Sequence, residues 1–194
     1  MRILLLSGGL DSVTLLYSLI DAGKSPDMCL AVDYGQPHIR ETEQARKICN
    51  SLGVPFETAV IHFRVAPDNG LLGGYDKTAE DSVVRGRNSA FISLAAMRGA
   101  TTAILGCNAD DQDAYIDCRT KVLKEVGRAC SITVELPFVG MEKKEIAAAA
   151  RALKVPIGET ISCYRGMLVC RECAACVARA NALAYPLSPG RGAG

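Results

Sequence analysis

The 194-residue sequence lacks the features that mark membrane, secreted and nucleic-acid-binding proteins. No apolar run approaches the ~18 residues that a membrane span needs, so we expect no transmembrane segment. The apolar stretch at 2–6 is too short for a signal peptide and leads into a glycine turn instead of a cleavage site. The net charge is only +1 and no basic block occurs, which disfavours direct binding to long nucleic acids. We therefore expect a cytoplasmic protein.

The composition is that of a globular protein with an unusual number of thiols. Apolar residues make up 49% of the chain and charged residues 22%, which predicts one α/β domain with its own core. Nine cysteines without a secretory signal indicate metal or thiol chemistry in a reducing compartment, not a disulfide framework.

Short apolar runs alternate with segments of helical periodicity, which predicts a Rossmann-like parallel sheet with helices on both faces. The predicted strands are 2–6, 28–33, 57–61, 103–107 and 132–136. Helices are predicted at 41–52, 88–97, 119–129 and 142–153, after a first helix that Gly23 ends. Residues 64–83 show no clear period and are expected to form a mobile loop near the site. Ligands of such sheets bind at the carboxyl ends of the strands.

A glycine turn follows the first strand and opens the first helix, with the sequence Ser7-Gly8-Gly9-Leu10-Asp11-Ser12. Its glycines let backbone N–H groups face an anion, and the helix N-terminus favours negative charge. Neither the dinucleotide fingerprint nor the Walker A spacing is present. The turn is similar to the S-G-G-x-D-S loop of the PP-loop ATP pyrophosphatases, which implies that it holds the pyrophosphate of ATP, with Asp11 bracing the loop or placing Mg²⁺. An ordinary glycine-rich turn is the alternative.

Four cysteines near the end form a C-x6-C-x2-C-x2-C pattern: Cys163, Cys170, Cys173 and Cys176. Four thiolates complete a tetrahedral shell, so we favour structural Zn²⁺, with an iron–sulfur cluster as the alternative. We expect an ATP-binding domain at 1–160, a four-cysteine zinc-binding helical segment at 161–185 packed on it, and a flexible tail at 186–194.

Further polar groups follow the second and fourth strands and precede two helices. They lie at 33–38, 85–88 and 108–119, and Lys143 begins the alanine-rich helix. Each group alone fits a solvated turn or a charged helix start. At the ligand edge of a sheet, the same groups fit recognition of phosphate, magnesium or a heterocycle.

In combination and order, these segments resemble the QueC family, the 7-cyano-7-deazaguanine synthases, over nearly the whole chain. The resemblance rests on Ser7–Ser12, Asp33–Gln36, Gly86–Asn88, Gly106 with Asn108, Ala109 and Asp111, Tyr115 with Asp117–Arg119, Lys143 with Glu145 and Ile146, Ser162–Gly166, and the last three cysteines. It implies catalytic roles for Asp11, Arg87 and Lys143. It implies ATP contacts from Ser7, Gly8, Gly9, Leu10, Asp11, Ser12, Asp33 and Gly106. It implies substrate contacts from Tyr34, Gln36, Arg87, Asn88, Asn108, Asp111, Tyr115, Asp117 and Arg119.

The activity that the resemblance implies is a C–N ligase reaction with ATP, Mg²⁺ and Zn²⁺. ATP adenylates 7-carboxy-7-deazaguanine, ammonia gives the amide, and a second ATP removes the amide oxygen to leave the nitrile. The family is often dimeric, which implies a homodimer. The stretch 112–116 departs from the family pattern, since Gln112 replaces an aromatic residue and Ile116 a proline. This departure keeps open an enzyme that stops at an amide or joins the acid to an amine on a protein or nucleic acid, as in family relatives tied to antiphage defence or DNA modification.

Overall fold

The computed structural model describes residues 1–36, 39–62, 84–164 and 169–185. The loop predicted at 64–83 and the tail predicted at 186–194 lie outside these ranges. None of the helices in the described part of the chain has the length and apolar character of a membrane span.

Five parallel strands form a single sheet, as the alternating pattern predicted. They are β1 (Arg2–Leu5), β2 (Met28–Asp33), β3 (Phe56–Val60), β4 (Thr102–Ile104) and β5 (Thr133–Glu135). Their spatial order is β3-β2-β1-β4-β5, and Leu4 of β1 lies beside Cys29 of β2 and Ile104 of β4. The chain therefore moves outward from β1 to β3 and returns to the other side at β4. The loops after β1 and β4 leave a crevice at this reversal, where such sheets bind ligands.

Seven helices occur in the described ranges. They are α1 (Leu10–Asp21), α2 (Ile39–Leu52), α3 (Arg87–Met97), α4 (Ala109–Ala114), α5 (Thr120–Ala129), α6 (Lys143–Ala152) and α7 (Ala174–Ala184), with short 3₁₀ turns at Ile116–Cys118 and Ile157–Glu159. The sequence did not predict α4. Its residues Ala-Asp-Asp-Gln-Asp-Ala carry no apolar stripe and none of them is buried, so no helical period marks it.

The helices cover both faces of the sheet because side chains of β1 alternate between them. Leu4 and Leu6 pack into a cluster with buried residues of α1, α2 and α6. Ile3 and Leu5 pack on the opposite side with Ile92 of α3 and Leu123 of α5. Fully burying one such side chain stabilises the fold by about 1.5–3 kcal/mol, so this central strand is strongly fixed. The rigid sheet thereby places the loop after β1 in a defined position.

Candidate active site

The turn between β1 and α1 is held closed by hydrogen bonds among its own residues. Ser12 Oγ donates to Gly9 O at 3.1 Å, and Gly9 N–H donates to Ser7 Oγ at 3.2 Å. The two serine hydroxyl oxygens lie 3.0 Å apart. The loop is therefore shaped before any ligand arrives, which lowers the ordering cost of binding.

Two glycines in and beside this turn allow close approaches that a larger residue would prevent. Gly8 has φ of +90°, and a Cβ there would lie 2.4 Å from Glu41 O. A Cβ on Gly106, after β4, would lie 3.4 Å from Ser12 Cα. Gly8 lets the first turn of α2 press against the loop, and Gly106 lets β4 reach the start of α1.

Asp11 is the centre of a charged group that joins three separate segments. Its Oδ2 accepts a hydrogen bond from the buried Asn108 side chain at 3.1 Å and lies 3.2 Å from Lys143 Nζ. Its Oδ1 is buried and has no hydrogen-bond partner among the described residues. Because a buried carboxylate oxygen without a partner is costly, this atom is set to meet a cation or a donor from a ligand.

Asn108 and Asp111 form the local structure that presents this amide to Asp11. Asp111 N–H donates to Asn108 Oδ1 at 2.9 Å, and Asn108 N–H donates to Asp111 Oδ2 at 3.3 Å. This reciprocal pair is a capping box at the start of α4. Burial raises the pKa of Asp111 and nearby Asp11 also raises it, whereas Lys143 lowers it.

Lys143 lies at the first position of α6, where the helix dipole disfavours a cation. Three carboxylates offset that disadvantage. Burial lowers the pKa of Lys143, but Asp11 and Asp111 raise it by more than burial lowers it. The pKa of Lys143 therefore lies above its ordinary value. The backbone N–H of Lys143 also donates to Asp110 Oδ2 at 3.0 Å. A protonated amine is thereby fixed beside the loop, where it can neutralise phosphate charge.

Arg87 supplies the second cation of the site, at the start of α3. Burial lowers its pKa, but Tyr34, which hydrogen-bonds to it, and then Asp117 and Cys118 raise it, so the guanidinium stays charged. The guanidinium carbon lies 6.0 Å from the centre of the Phe91 ring. Arg87 Nε is the other buried side-chain atom without a hydrogen-bond partner among the described residues. A free N–H of this kind suits a carboxylate or phosphate oxygen of a ligand.

Two predicted substrate residues also hold the walls of the site together. Asn88 donates to Asp117 O at 3.2 Å and to Cys118 Sγ at 3.3 Å, so it joins α3 to the turn after α4. Gln36 accepts from Tyr34 N–H at 2.8 Å and donates to Val32 O at 3.0 Å. These bonds shape the end of β2 and orient Tyr34.

A cavity of about 300 Å³ extends from the glycine loop to Arg87, a size at the lower end for small-ligand sites. Its lining includes most residues that the sequence predicted: Ser7, Gly9, Leu10, Asp11, Ser12, Tyr34, Gln36, Arg87, Asn88, Gly106, Asp111, Tyr115, Asp117 and Lys143. Apolar walls come from Leu30, Val32, Phe91 and Leu105. The cavity thus combines a polar end at the loop with an apolar slot that includes Phe91, beside Arg87.

Four predicted site residues do not line this cavity: Gly8, Asp33, Asn108 and Arg119. Gly8 and Asn108 lie outside the cavity lining but contact residues that form it: Gly8 packs against Glu41, and Asn108 donates to Asp11. Asp33 Oδ1 accepts from Gly35 N–H at 3.0 Å and so caps the end of β2. Arg119 is exposed and precedes α5.

Glu41, Ser162 and Tyr164 line the cavity but were not among the predicted site residues. Glu41 is in the first turn of α2, and burial, followed by Cys163, raises its pKa well above the ordinary value while Arg87 lowers it. Burial raises the pKa of Tyr164, as does Tyr115, which hydrogen-bonds to it. In the sequence, Glu41 belongs to a polar helix and looks like a solvent-exposed residue. Only the folded structure shows that it lines the cavity.

The four predicted cysteine ligands meet at one point. Their Sγ atoms all lie within 4.8 Å of one another, and those of Cys170 and Cys176 are 3.9 Å apart. A tetrahedral zinc with Zn–S bonds of about 2.3 Å has sulfurs about 3.8 Å apart, so the group fits a single ion. Cys170 accepts hydrogen bonds from the backbone N–H of Cys173 and Glu172, which outweigh burial and lower its pKa to about 6. Burial raises the pKa of Cys176 to about 12.

Comparison with known proteins places these features in a family. Residues 1–186 match the model of the family described as Queuosine biosynthesis protein QueC. The chain is 32% identical over 201 residues to the 7-cyano-7-deazaguanine synthase of Caldicellulosiruptor bescii, which covers 93% of this chain and 90% of that protein. It is 32% identical over 203 residues to the enzyme of the same name from Methanoregula boonei, covering 93% and 92%.

Solved structures share the fold at lower sequence identity. The U34-tRNA thiolase NcsA from Methanococcus maripaludis, with its [4Fe-4S] cluster, matches with a TM-score of 0.53 and 18% identity over 93% of this chain. NMN synthetase from Francisella tularensis matches with a TM-score of 0.52 and 20% identity over 81% of it. The match covers 63% of either protein, just under two thirds. These neighbours confirm a PP-loop-like fold.

Proposed function

The chain belongs to the QueC family, and we propose that it converts 7-carboxy-7-deazaguanine and ammonia to 7-cyano-7-deazaguanine with ATP. The observation that carries the proposal is the continuous cavity, which joins the glycine loop to an apolar slot that ends at Arg87. One end suits the phosphates of a nucleotide and the other a flat heterocycle. The two reactants would therefore meet between Asp11 and Arg87.

ATP would place its pyrophosphate in the turn Ser7–Ser12. The N-terminus of α1 presents backbone N–H donors at this point, the hydroxyls of Ser7 and Ser12 hold the turn in shape, and Lys143 adds a positive charge. The residue that would hold Mg²⁺ is Asp11, whose Oδ1 has no partner among the described residues. When bound, magnesium would supply additional positive charge at the phosphate oxygens.

The acid would lie in the apolar slot with its carboxylate turned toward the α-phosphate of ATP. A carboxylate oxygen is a poor leaving group, and adenylation makes it a good one. The fixed charges of Lys143 and Arg87 would then stabilise the negative charge that develops as ATP is cleaved between its α and β phosphates. Ammonia would displace AMP to give the amide, and a second adenylation, at the amide oxygen, would lead to the nitrile.

The alternative product, an amide or a conjugate with a protein amine, was motivated by the unusual stretch 112–116. In that stretch only Tyr115 lines the cavity. Gln112 accepts from Thr120 Oγ1 at 2.7 Å and donates to Val139 O at 2.8 Å, so it braces α4 from outside the cavity. Ile116 is 69% exposed. The departures therefore lie away from the proposed acid and support the nitrile as the product.

We further propose that the four cysteines hold a structural zinc ion within a segment at 161–185, packed on an ATP-binding domain at 1–160. The short distances between their sulfurs support a single ion, since in a [4Fe–4S] cluster each thiolate binds a different iron. When bound, zinc would cross-link the chain and leave no open position for a reactant. The homodimer also remains part of the proposal, and light scattering would test it.

The test is a mass-spectrometric product assay with 7-carboxy-7-deazaguanine, MgATP and ammonium. We expect the nitrile and AMP from the wild-type enzyme, and neither from Asp11→Ala, which should keep its far-UV circular dichroism spectrum. Accumulation of the adenylate or amide alone would contradict nitrile synthesis and favour another acceptor. Normal turnover by Asp11→Ala would contradict the assignment of the loop.

A further inference from the structure

Arg179 connects the cysteine cluster to the glycine loop. It lies on α7 one helical turn beyond the ligand Cys176 and is partly buried. Its guanidinium donates to Thr160 Oγ1 at 2.7 Å, Ser162 Oγ at 3.2 Å and Ile157 O at 2.6 Å. A planar guanidinium can hold three acceptors at fixed angles, which a flexible ammonium cannot.

The segment that Arg179 holds lies directly against the loop proposed to bind pyrophosphate. Ile161 N–H donates to Gly8 O at 3.1 Å, and Leu10 N–H points to Ser162 Oγ at 3.5 Å. A Cβ on Gly9 would lie 3.5 Å from Ile161 O, so the two backbones are in contact. The hydroxyl of Ser162 is thus shared between Arg179 and the first residue of α1.

We propose that Arg179 is a positioning residue that sets the shape of the loop Ser7–Ser12 for nucleotide binding, by locking the segment at 157–162 between that loop and the cysteine cluster. The inference rests on the proposed use of ATP. Two of the four cysteines, Cys163 and Cys176, flank this connection along the chain. A metal ion bound to Cys163 and Cys176 would fix both the segment at 157–162 and the part of α7 that carries Arg179. Metal binding and nucleotide binding would then be coupled through this segment.

A purely structural role for Arg179 would be to dock α7, and a second arginine provides the control for that role. Arg151 of α6 donates to Leu183 O and Tyr185 O at the far end of α7. It holds the same helix on the same side of the sheet, and among the described residues these two bonds reach the end of α7 and not the glycine loop. Loss of Arg151 therefore loosens α7 without touching the connection to Ser162.

The experiment measures binding of Mg²⁺ with α,β-methylene-ATP, which the enzyme cannot cleave between those phosphates, by isothermal titration calorimetry on metal-loaded protein. Arg179→Gln should weaken binding about tenfold, since hydrogen bonds to a charged group are lost behind the loop. Ser162→Ala should also weaken it, and Arg179→Gln with Ser162→Ala together should weaken it less than the product of the two effects. Arg179→Lys should recover part of the loss, and Arg151→Ala should stay within twofold of wild type.

Hydrogen exchange and zinc content are measured on the same samples. We expect faster exchange at the amides of 8–12 in Arg179→Gln with zinc content unchanged. Affinity within twofold of wild type in zinc-loaded Arg179→Gln would overturn the proposal, and so would an equal loss in Arg151→Ala. If Arg179→Gln does not fold, Ser162→Ala decides alone, because unchanged affinity there excludes the connection. No deazapurine acid is present, so a wild-type enzyme that binds the nucleotide but makes no nitrile would contradict only the proposed function.

Discussion

At the scale of single residues, two glycines share a positive φ but differ in the space around them. Gly8 and Gly23 have φ of +90° and +67°. A Cβ on Gly8 would lie 2.4 Å from Glu41 O, while one on Gly23 would meet nothing within 4 Å. The backbone conformation favours glycine at both positions. Only at Gly8, in the proposed ATP site, would a side chain also clash with a neighbouring segment.

Gly8→Ala should therefore lose nucleotide binding in addition to stability. The left-handed backbone alone costs an alanine about 1–2 kcal/mol at either position. At Gly8 the clash with backbone must also move α2 or the loop, which displaces the donors proposed to face pyrophosphate. Titration with Mg²⁺ and α,β-methylene-ATP should show a loss of at least tenfold in Gly8→Ala. Gly23→Ala serves as the control with a positive φ but no clash, and a similar loss of affinity there would contradict this account.

At the scale of elements, α7 has few buried residues and begins at the cysteine cluster. Only Cys176 and Ala182 of its residues are buried, and one of these is a proposed ligand. Its start is Cys173, and the thiols of the cluster must be deprotonated to bind zinc. The low pKa of Cys170, about 6, makes one thiolate available near neutral pH.

Cys173→Ser should consequently lower zinc content and solubility together. Structural zinc sites contribute on the order of 10 kcal/mol, so loss of one ligand removes a large share of what holds this segment. Elemental analysis should show less zinc per chain, and hydrogen exchange should be faster across α7. Cys130→Ser is the matched control, because Cys130 lies near Ser93 Oγ at 3.5 Å and outside the cluster. A soluble, fully active, zinc-free Cys173→Ser protein would exclude a structural role.

The elements that could be predicted from sequence are those whose pattern is local. Buried parallel strands such as Met28–Asp33 are continuous apolar runs, and the predicted and observed limits of this strand agree. Helix α4 was missed because four of its six residues are polar and its stability comes from the Asn108–Asp111 capping box and from Gln112, which bonds to Val139 O. These interactions depend on where distant segments lie.

The same distinction applies to the site. The loop Ser7–Ser12 was predicted from its glycine turn and its similarity to the PP-loop motif, and the four cysteines were predicted from their spacing. Ser162, which Arg179 holds, contacts Leu10, and these two residues are 152 positions apart in the sequence. No periodicity in the sequence indicates such a contact. Asn88 and Gln36 were predicted to touch substrate; both line the cavity, and each also binds protein atoms through its side-chain amide, which the sequence did not indicate.

At the scale of the whole molecule, the site is assembled from both halves of the sheet. Asp11 follows β1, Asn108 follows β4, and Lys143 follows β5, so their contact requires these three strands to lie side by side. Tyr34 and Gln36 follow β2, on the other side of the reversal. A ligand that fills the cavity therefore binds only the folded chain and should stabilise it globally.

We expect Mg²⁺ with α,β-methylene-ATP at about 100 times its Kd to stabilise the wild-type protein by about 2.7 kcal/mol. For a chain of this length, that corresponds to a rise in Tm of about 5–10 °C in differential scanning calorimetry. Asp11→Ala should show almost no rise relative to its own ligand-free Tm, because it lacks the carboxylate that faces the loop, Lys143 and the proposed magnesium ion. An equal rise in Asp11→Ala would mean that the nucleotide binds elsewhere. No rise in the wild type at saturating ligand would mean that the crevice between β1 and β4 is not a nucleotide site.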